Sequence, residues 1–287
     1  MLKFAIFLFA VATTTAAYAQ PTPPPAGGKY VAMGSSFAAG PGIAPAADNP
    51  GNRCRRSAQN YAHQLARRRN LSLVDVSCGG STTERLLGPW NELAPELDAV
   101  DADTLLVTVT TGGNDLGYLG GLARMSCVNV AAQTGKAPQT PCGTPPPLPG
   151  DKTYAAVEMR LRMVVSEVHR RAPKARLIII DYATILPSAG VCPVVPLSMA
   201  QADSSRGIAR RLNEITVRVA KETRTELIRA SAITEGHDVC TKDPWLNGYP
   251  SPGVPAEEAF YHPRLAAMTA IADALDRQIW PSQTGRP

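Results

Sequence analysis

Two runs constrain this chain most: TLLVTVT at Thr104–Thr110 and RLIIID at Arg176–Asp181. A strand with one wet face alternates apolar and polar side chains. A run that is apolar or β-branched almost throughout must be covered on both faces. Shorter strand candidates stand at Lys29–Gly34, Leu71–Ser77 and Thr225–Arg229. Segments of helical period separate them. Ser57–Arg69 carries Tyr61, Leu65 and Ala66 on one face. Tyr154–Ala172 carries Val157, Leu161, Val164, Val165 and Val168, and Pro173 ends it. Met199–Thr223 has the stripe Ile208, Leu212, Ile215 and Val219. Pro263–Trp280 closes the chain, with a proline set for a first helical turn. Five strands alternating with helices predict an α/β fold, a parallel sheet between two helical layers. No repeat and no second apolar pattern divides it.

The chain opens with Lys3, an apolar run over Phe4–Ala12, and Ala17-Tyr18-Ala19 before Gln20. This is the pattern of a secretory leader, cleaved after Ala19, and it predicts a secreted or periplasmic protein. Residues 20–28 are Pro-rich and read as a disordered spacer, leaving 29–287 as a single domain. No later segment reaches the ~18 apolar residues of a membrane span, so no stable membrane insertion is expected. Six cysteines, Cys54, Cys78, Cys127, Cys142, Cys192 and Cys240, in an exported chain imply disulfides. Cys54 and Cys78 fall at one edge of the sheet, and Cys127 and Cys142 bracket one Pro/Gly-rich excursion. Sequential pairing is therefore favoured: Cys54–Cys78, Cys127–Cys142 and Cys192–Cys240. The net charge is +5, of which Lys3 in the leader supplies one. The excess is partly local, in Arg53, Arg55, Arg56, Arg67, Arg68 and Arg69. Without interleaved aromatics or a nucleic-acid motif, this cluster reads as a solvated basic face rather than a nucleic-acid site.

Chemistry gathers at the carboxyl ends of strands in such sheets. Ser36 follows the first strand in Gly34-Ser35-Ser36-Phe37-Ala38-Ala39-Gly40. Gly80 follows the second in Cys78-Gly79-Gly80-Ser81, and Asn114 the third in Gly112-Gly113-Asn114-Asp115. A hydroxyl attacks a carbonyl only with a base in reach. Of the four histidines, His63 and His169 fall inside helices and read as surface positions, and His237 lies in a loop. His262 precedes the last helix, which returns it over the strand ends, so it is the candidate base.

In this order and these strand contexts, Ser36, Gly80, Asn114 and His262 resemble the SGNH (GDSL) hydrolase family across nearly the whole chain. The resemblance extends to its three-disulfide secreted bacterial lipases and esterases. It implies a three-layer α/β/α sandwich with a flavodoxin-like five-stranded sheet. It also implies a carboxylic-ester hydrolase working through a Ser-His acyl-enzyme mechanism. Ser36 would be the nucleophile and His262 the base. The oxyanion hole would be the backbone N–H of Ser36, that of Gly80 and the Asn114 amide. The partner would be a small-molecule or lipid ester, taken by a monomer. Carbohydrate O-acetyl esters and phospholipids are alternative substrates, and a catalytically decayed binding protein is an alternative use of the scaffold.

Two positions depart from the family pattern. Ser35 stands where the family has Asp before the nucleophile. Ala259 stands where it often has the Asp that orients histidine, and Glu257 and Glu258 are out of register. A Ser-His dyad is therefore expected, with the Ala259 backbone carbonyl orienting His262. Asp115 is expected to brace its loop. There is no G-x-S-x-G, H-E-x-x-H, P-loop or C-x-x-C, and no metal or cofactor is called for. Substrate choice is expected from Gly117–Gly150, Pro187–Pro196 and Asp243–Pro255. Leu116, Tyr118 and Leu119 either line an acyl groove or pack beneath it.

Overall fold

A computed structural model describes residues 22–138, 140–250 and 259–281 of the chain. The leader, Glu257 and Glu258 lie outside the described residues. Five parallel strands form one sheet: β1 (Lys29–Gly34), β2 (Ser72–Asp75), β3 (Thr104–Thr110), β4 (Arg176–Ile180) and β5 (Glu226–Ile228). Their order across the sheet is β2-β1-β3-β4-β5. The helices are α1 (Ser36–Ala39), α2 (Tyr61–Arg69), α3 (Thr83–Leu87), α4 (Tyr118–Thr134), α5 (Asp151–Arg171), α6 (Met199–Thr223), α7 (Ala230–Ile233) and α8 (Leu265–Ile279). The 3-10 turn Glu96–Ala99 precedes β3.

The two-period of the strands splits the core into two layers. Val31 and Met33 of β1, Val107 and Val109 of β3, and Leu177 and Ile179 of β4 join the stripes of α5 and α6. Tyr30, Ala32, Leu106, Ile178 and Ile180 face the other way, onto α2 and α8. Chain order reverses between β1 and β3, which opens a crevice at their carboxyl ends. This is the α/β/α sandwich expected from the two buried runs, with the flavodoxin-like strand order.

Several boundaries differ from expectation. Helix α2 starts at Tyr61, not Ser57, because Ser57 N is taken by Ala39 O at 2.8 Å and Asn60 caps the helix. Helix α8 starts after Arg264, because Pro263 is held in an antiparallel bridge with Leu246. The excursion 117–150 begins with the 17-residue α4, which Gly120 and Gly121 obscure in the sequence. The expected disordered spacer is, where described, laid on the fold. Pro24 is buried, and Gly27 N donates to Asn70 O at 2.7 Å. The cysteines pair sequentially, as Cys54–Cys78, Cys127–Cys142 and Cys192–Cys240.

Candidate active site

Strand β1 ends at Gly34 with φ 124°, and a Cβ there would lie 2.2 Å from Thr110 O. Only glycine allows that approach of β1 to β3, and it turns the chain sharply into α1. Ser35 caps α1, so the next residue, Ser36, is its first helical position, 6% exposed. Ser36 Oγ lies 2.7 Å from His262 Nε2. On the other side of the ring, Nδ1 lies 2.7 Å from the Phe260 carbonyl oxygen. A carbonyl only accepts, so Nδ1 carries the ring hydrogen and Nε2 presents its lone pair to the Ser36 hydroxyl. Burial pushes the His262 pKa down to about 4; the Phe260 bond opposes this and the Arg55 charge adds to it. The ring is therefore neutral at neutral pH, with the Nε2 lone pair free to accept a proton.

The orienting carbonyl is that of Phe260, not the expected Ala259. Tyr261 adopts a left-handed φ of 59°, which swings the Phe260 carbonyl beneath the ring. The Ala259 carbonyl is instead taken by Asn247 Nδ2 at 3.2 Å and His262 N at 3.3 Å. Asn247 also exchanges backbone bonds with Tyr261 and His262 and accepts from Arg264 Nε at 2.7 Å. The Tyr261 hydroxyl pairs with Ser126 Oγ at 2.6 Å, which ties this turn to α4.

Gly80 has φ 88°, and a Cβ there would press on Trp90 at 3.2 Å. Asn114 Nδ2 donates to Ser81 O at 2.8 Å, leaving its second hydrogen unspent. Glu96 joins the two strand ends from below. Its buried carboxyl accepts from Gly34 N and meets Ser81 Oγ, both at 2.6 Å. Burial raises its pKa to about 8, so the carboxyl is predominantly neutral at pH 7. Asp115 accepts from Thr83 N at 2.9 Å and braces the third loop against α3.

The structure thus brings Ser36, Gly80, Asn114 and His262 to one cleft of about 490 Å³. Leu119, Gly120, Ala123 and Phe260 form its apolar part, and Arg53 and Arg55 its cationic part. The arrangement can pass a proton from Ser36 Oγ to Nε2 while donors converge on an adjacent carbonyl oxygen. Residues 32–270 match the GDSL-like Lipase/Acylhydrolase family. The chain belongs to this family. Lipase 2 of Streptomyces coelicolor is 33% identical over 241 residues, covering 80% of this chain and 77% of the relative. A lipase of Streptomyces rimosus is 27% identical over 237 residues, covering 82% and 80%. The same fold occurs in phospholipase A1 from Streptomyces albidoflavus, with TM-score 0.68, 24% identity and coverage of 87% and 99%. It occurs again in the extracellular lipase of Streptomyces rimosus, with TM-score 0.67, 24% identity and coverage of 86% and 98%. The protein is a carboxylic-ester hydrolase of the lipase/esterase kind.

In this GDSL-like hydrolase, Ser35 has a role of its own. Its fully buried hydroxyl meets Tyr182 Oη at 2.8 Å, and the same phenol oxygen accepts from Gly113 N at 3.0 Å. A neutral Ser35–Tyr182 link therefore joins the first and third loops without burying a charge. Of the loops expected to govern substrate choice, 117–150 supplies Leu119, Gly120 and Ala123, whereas Leu116 and Tyr118 pack into the core. Glu96, Tyr182, Asn247 and Tyr261 were not singled out in the sequence. Glu96 alone left a trace, as a carboxylate inside the apolar stretch Leu93-Ala94-Pro95-Glu96-Leu97.

Proposed function

We propose that this chain is exported after removal of residues 1–19 and hydrolyses esters, as one domain and a monomer, through an acyl-enzyme on Ser36. The observation that carries this is the 2.7 Å contact of Ser36 Oγ with His262 Nε2, with Nδ1 held 2.7 Å from the Phe260 carbonyl. Ser36 Oγ attacks the ester carbon as its proton moves to Nε2. The oxyanion accepts from Ser36 N–H, Gly80 N–H and the free hydrogen of Asn114 Nδ2. Collapse expels the alcohol, which takes the proton from Nε2. Water, activated by the same nitrogen, then releases the acid and frees Ser36. Nδ1 keeps its hydrogen and donates it to Phe260 O throughout, which keeps the ring aligned.

The test is hydrolysis of 4-nitrophenyl butyrate by wild type, Ser36→Ala and His262→Gln. Loss of at least ~10³-fold in kcat is expected for each variant. Activity surviving in Ser36→Ala would remove Ser36 from the reaction, and near-background wild-type rates would favour a binding role. N-terminal sequencing of exported protein should begin at Gln20. Light scattering reads the oligomeric state.

A further inference from the structure

The early arginine cluster is not one solvated face. Arg56 lies 2.6 Å from Asp48, Arg68 pairs with Asp273 and Arg69 with Asp276. Arg67 is spent on Ala58 O and the Gln59 side chain. Arg53 bonds Glu92 at 2.6 Å and lies 3.8 Å over the Trp90 ring. Arg55 differs from all of these. Among the described residues its side chain has no ion pair or hydrogen bond, it is exposed, and it lines the cleft that holds Ser36 and His262. No carboxylate among the described residues lines that cleft.

The placement of Arg55 is built. Its backbone is left-handed, with φ 54°, a conformation a non-glycine residue holds only when its surroundings impose it. Those surroundings are the neighbouring Cys54–Cys78 disulfide, the Gly79 N to Cys54 O bond at 2.9 Å, and the Asn52 carbonyl accepting from Arg55 N at 3.2 Å. The turn is thus clamped to the segment that carries Gly80, and this roots the Arg55 side chain at the rim of the cleft that holds Ser36 and His262.

By Coulomb repulsion an unpaired cation lining this cleft opposes the positive charge His262 must acquire during acyl transfer, adding to the larger effect of burial on the ring. A negative group arriving with the substrate would offset it. His262 hands its proton to the leaving alcohol, so the side of the substrate near both His262 and Arg55 is the alcohol side. The apolar part of the cleft, Leu119, Ala123 and Phe260, remains for the acyl chain. We propose that Arg55 forms an anion subsite and that the preferred esters carry a negative group, phosphodiester or carboxylate, on their alcohol portion. This rests on the reading of Ser36 and His262 as the reacting pair.

The test uses a matched pair, 4-butyryloxybenzoate and its methyl ester, which differ in one negative charge on the leaving phenol. The measured quantity is the ratio of kcat/KM, anionic over neutral, in wild type, Arg55→Lys, Arg55→Gln and Arg55→Glu. Arg55→Gln should lower the ratio ~10-fold, chiefly through KM of the anionic ester, Arg55→Glu further, and Arg55→Lys least. Raising salt to about 0.5 M should lower the wild-type ratio but not that of Arg55→Gln. Equal losses on both esters would make Arg55 a general support of the oxyanion and overturn the subsite, as would a salt-independent wild-type ratio. Loss of methyl-ester hydrolysis in Ser36→Ala checks the underlying reading separately, whatever the ratio does.

Discussion

Glu96→Gln should make the protein more stable at neutral and alkaline pH than the natural chain. The carboxyl accepts from Gly34 N and meets Ser81 Oγ, each at 2.6 Å, and burial moves its pKa from the ordinary 4.5 to about 8. The unfolded chain therefore gives up this proton near pH 4.5, while the folded chain keeps it until about pH 8. The stability associated with the protonated carboxyl is fully present below pH 4.5, declines as pH rises, and is gone above about 8. At 1.36 kcal/mol per pH unit, the interval amounts to about 5 kcal/mol. The side-chain amide of the variant would offer the same two contacts, a carbonyl oxygen for Gly34 N and an amide hydrogen for Ser81 Oγ, with no proton to lose. The assay is urea unfolding of both proteins at fixed ionic strength from about pH 4 to 9. The difference in unfolding free energy should widen in favour of Glu96→Gln by several kcal/mol between pH 4.5 and 8, then level off. Every other titration is common to both chains and cancels in the difference. Parallel curves would refute the buried neutral carboxyl. Glu96→Leu, which strands Gly34 N–H and Ser81 Oγ, should cost about 2–4 kcal/mol at pH 5 and slow kcat by loosening two loops of the site.

His262, held down to about 4 by burial, stays neutral well below the usual histidine range. The acid limb of kcat/KM should fall near pH 4–5, and a half-point at pH 6.5 or above would contradict the burial argument. The same depressed value means stability is present above 6.5 and is lost as pH falls through about 4. Asn114→Ala should lower kcat by ~10²–10³ with little change in KM, as expected for a donor used only when the oxyanion forms; a pure KM effect would place it in binding. Ser35→Ala removes the bond to Tyr182 Oη and should cost about 1 kcal/mol of stability while activity stays within ~10-fold. Loss of activity comparable to that of Ser36→Ala would give Ser35 a chemical role.

Much of this molecule is local and therefore legible in the chain. The runs at 104–110 and 176–181 are buried on both faces because their neighbours leave them no other place, and they dictate a parallel sheet between helices. Ser36, Gly80, Asn114 and His262 follow from a short turn read after each strand end or ahead of the last helix. The orienting group was not legible, since Ala259 and Phe260 are adjacent and equally apolar. The left-handed turn at Tyr261, set by Asn247 and Ser126 from distant segments, is what presents the Phe260 carbonyl to the ring. Glu96, Tyr182 and Arg55 share this property. A carboxylate, a phenol and a guanidinium acquire their meaning from what packs around them, and those neighbours are brought together by long-range folding. The chain alone determined which backbone would form and where reactive groups would stand along it. Only the tertiary structure decided which are protonated, which are paired, and which cation is left facing the substrate, because burial and charge partnering depend on distance in space rather than along the sequence.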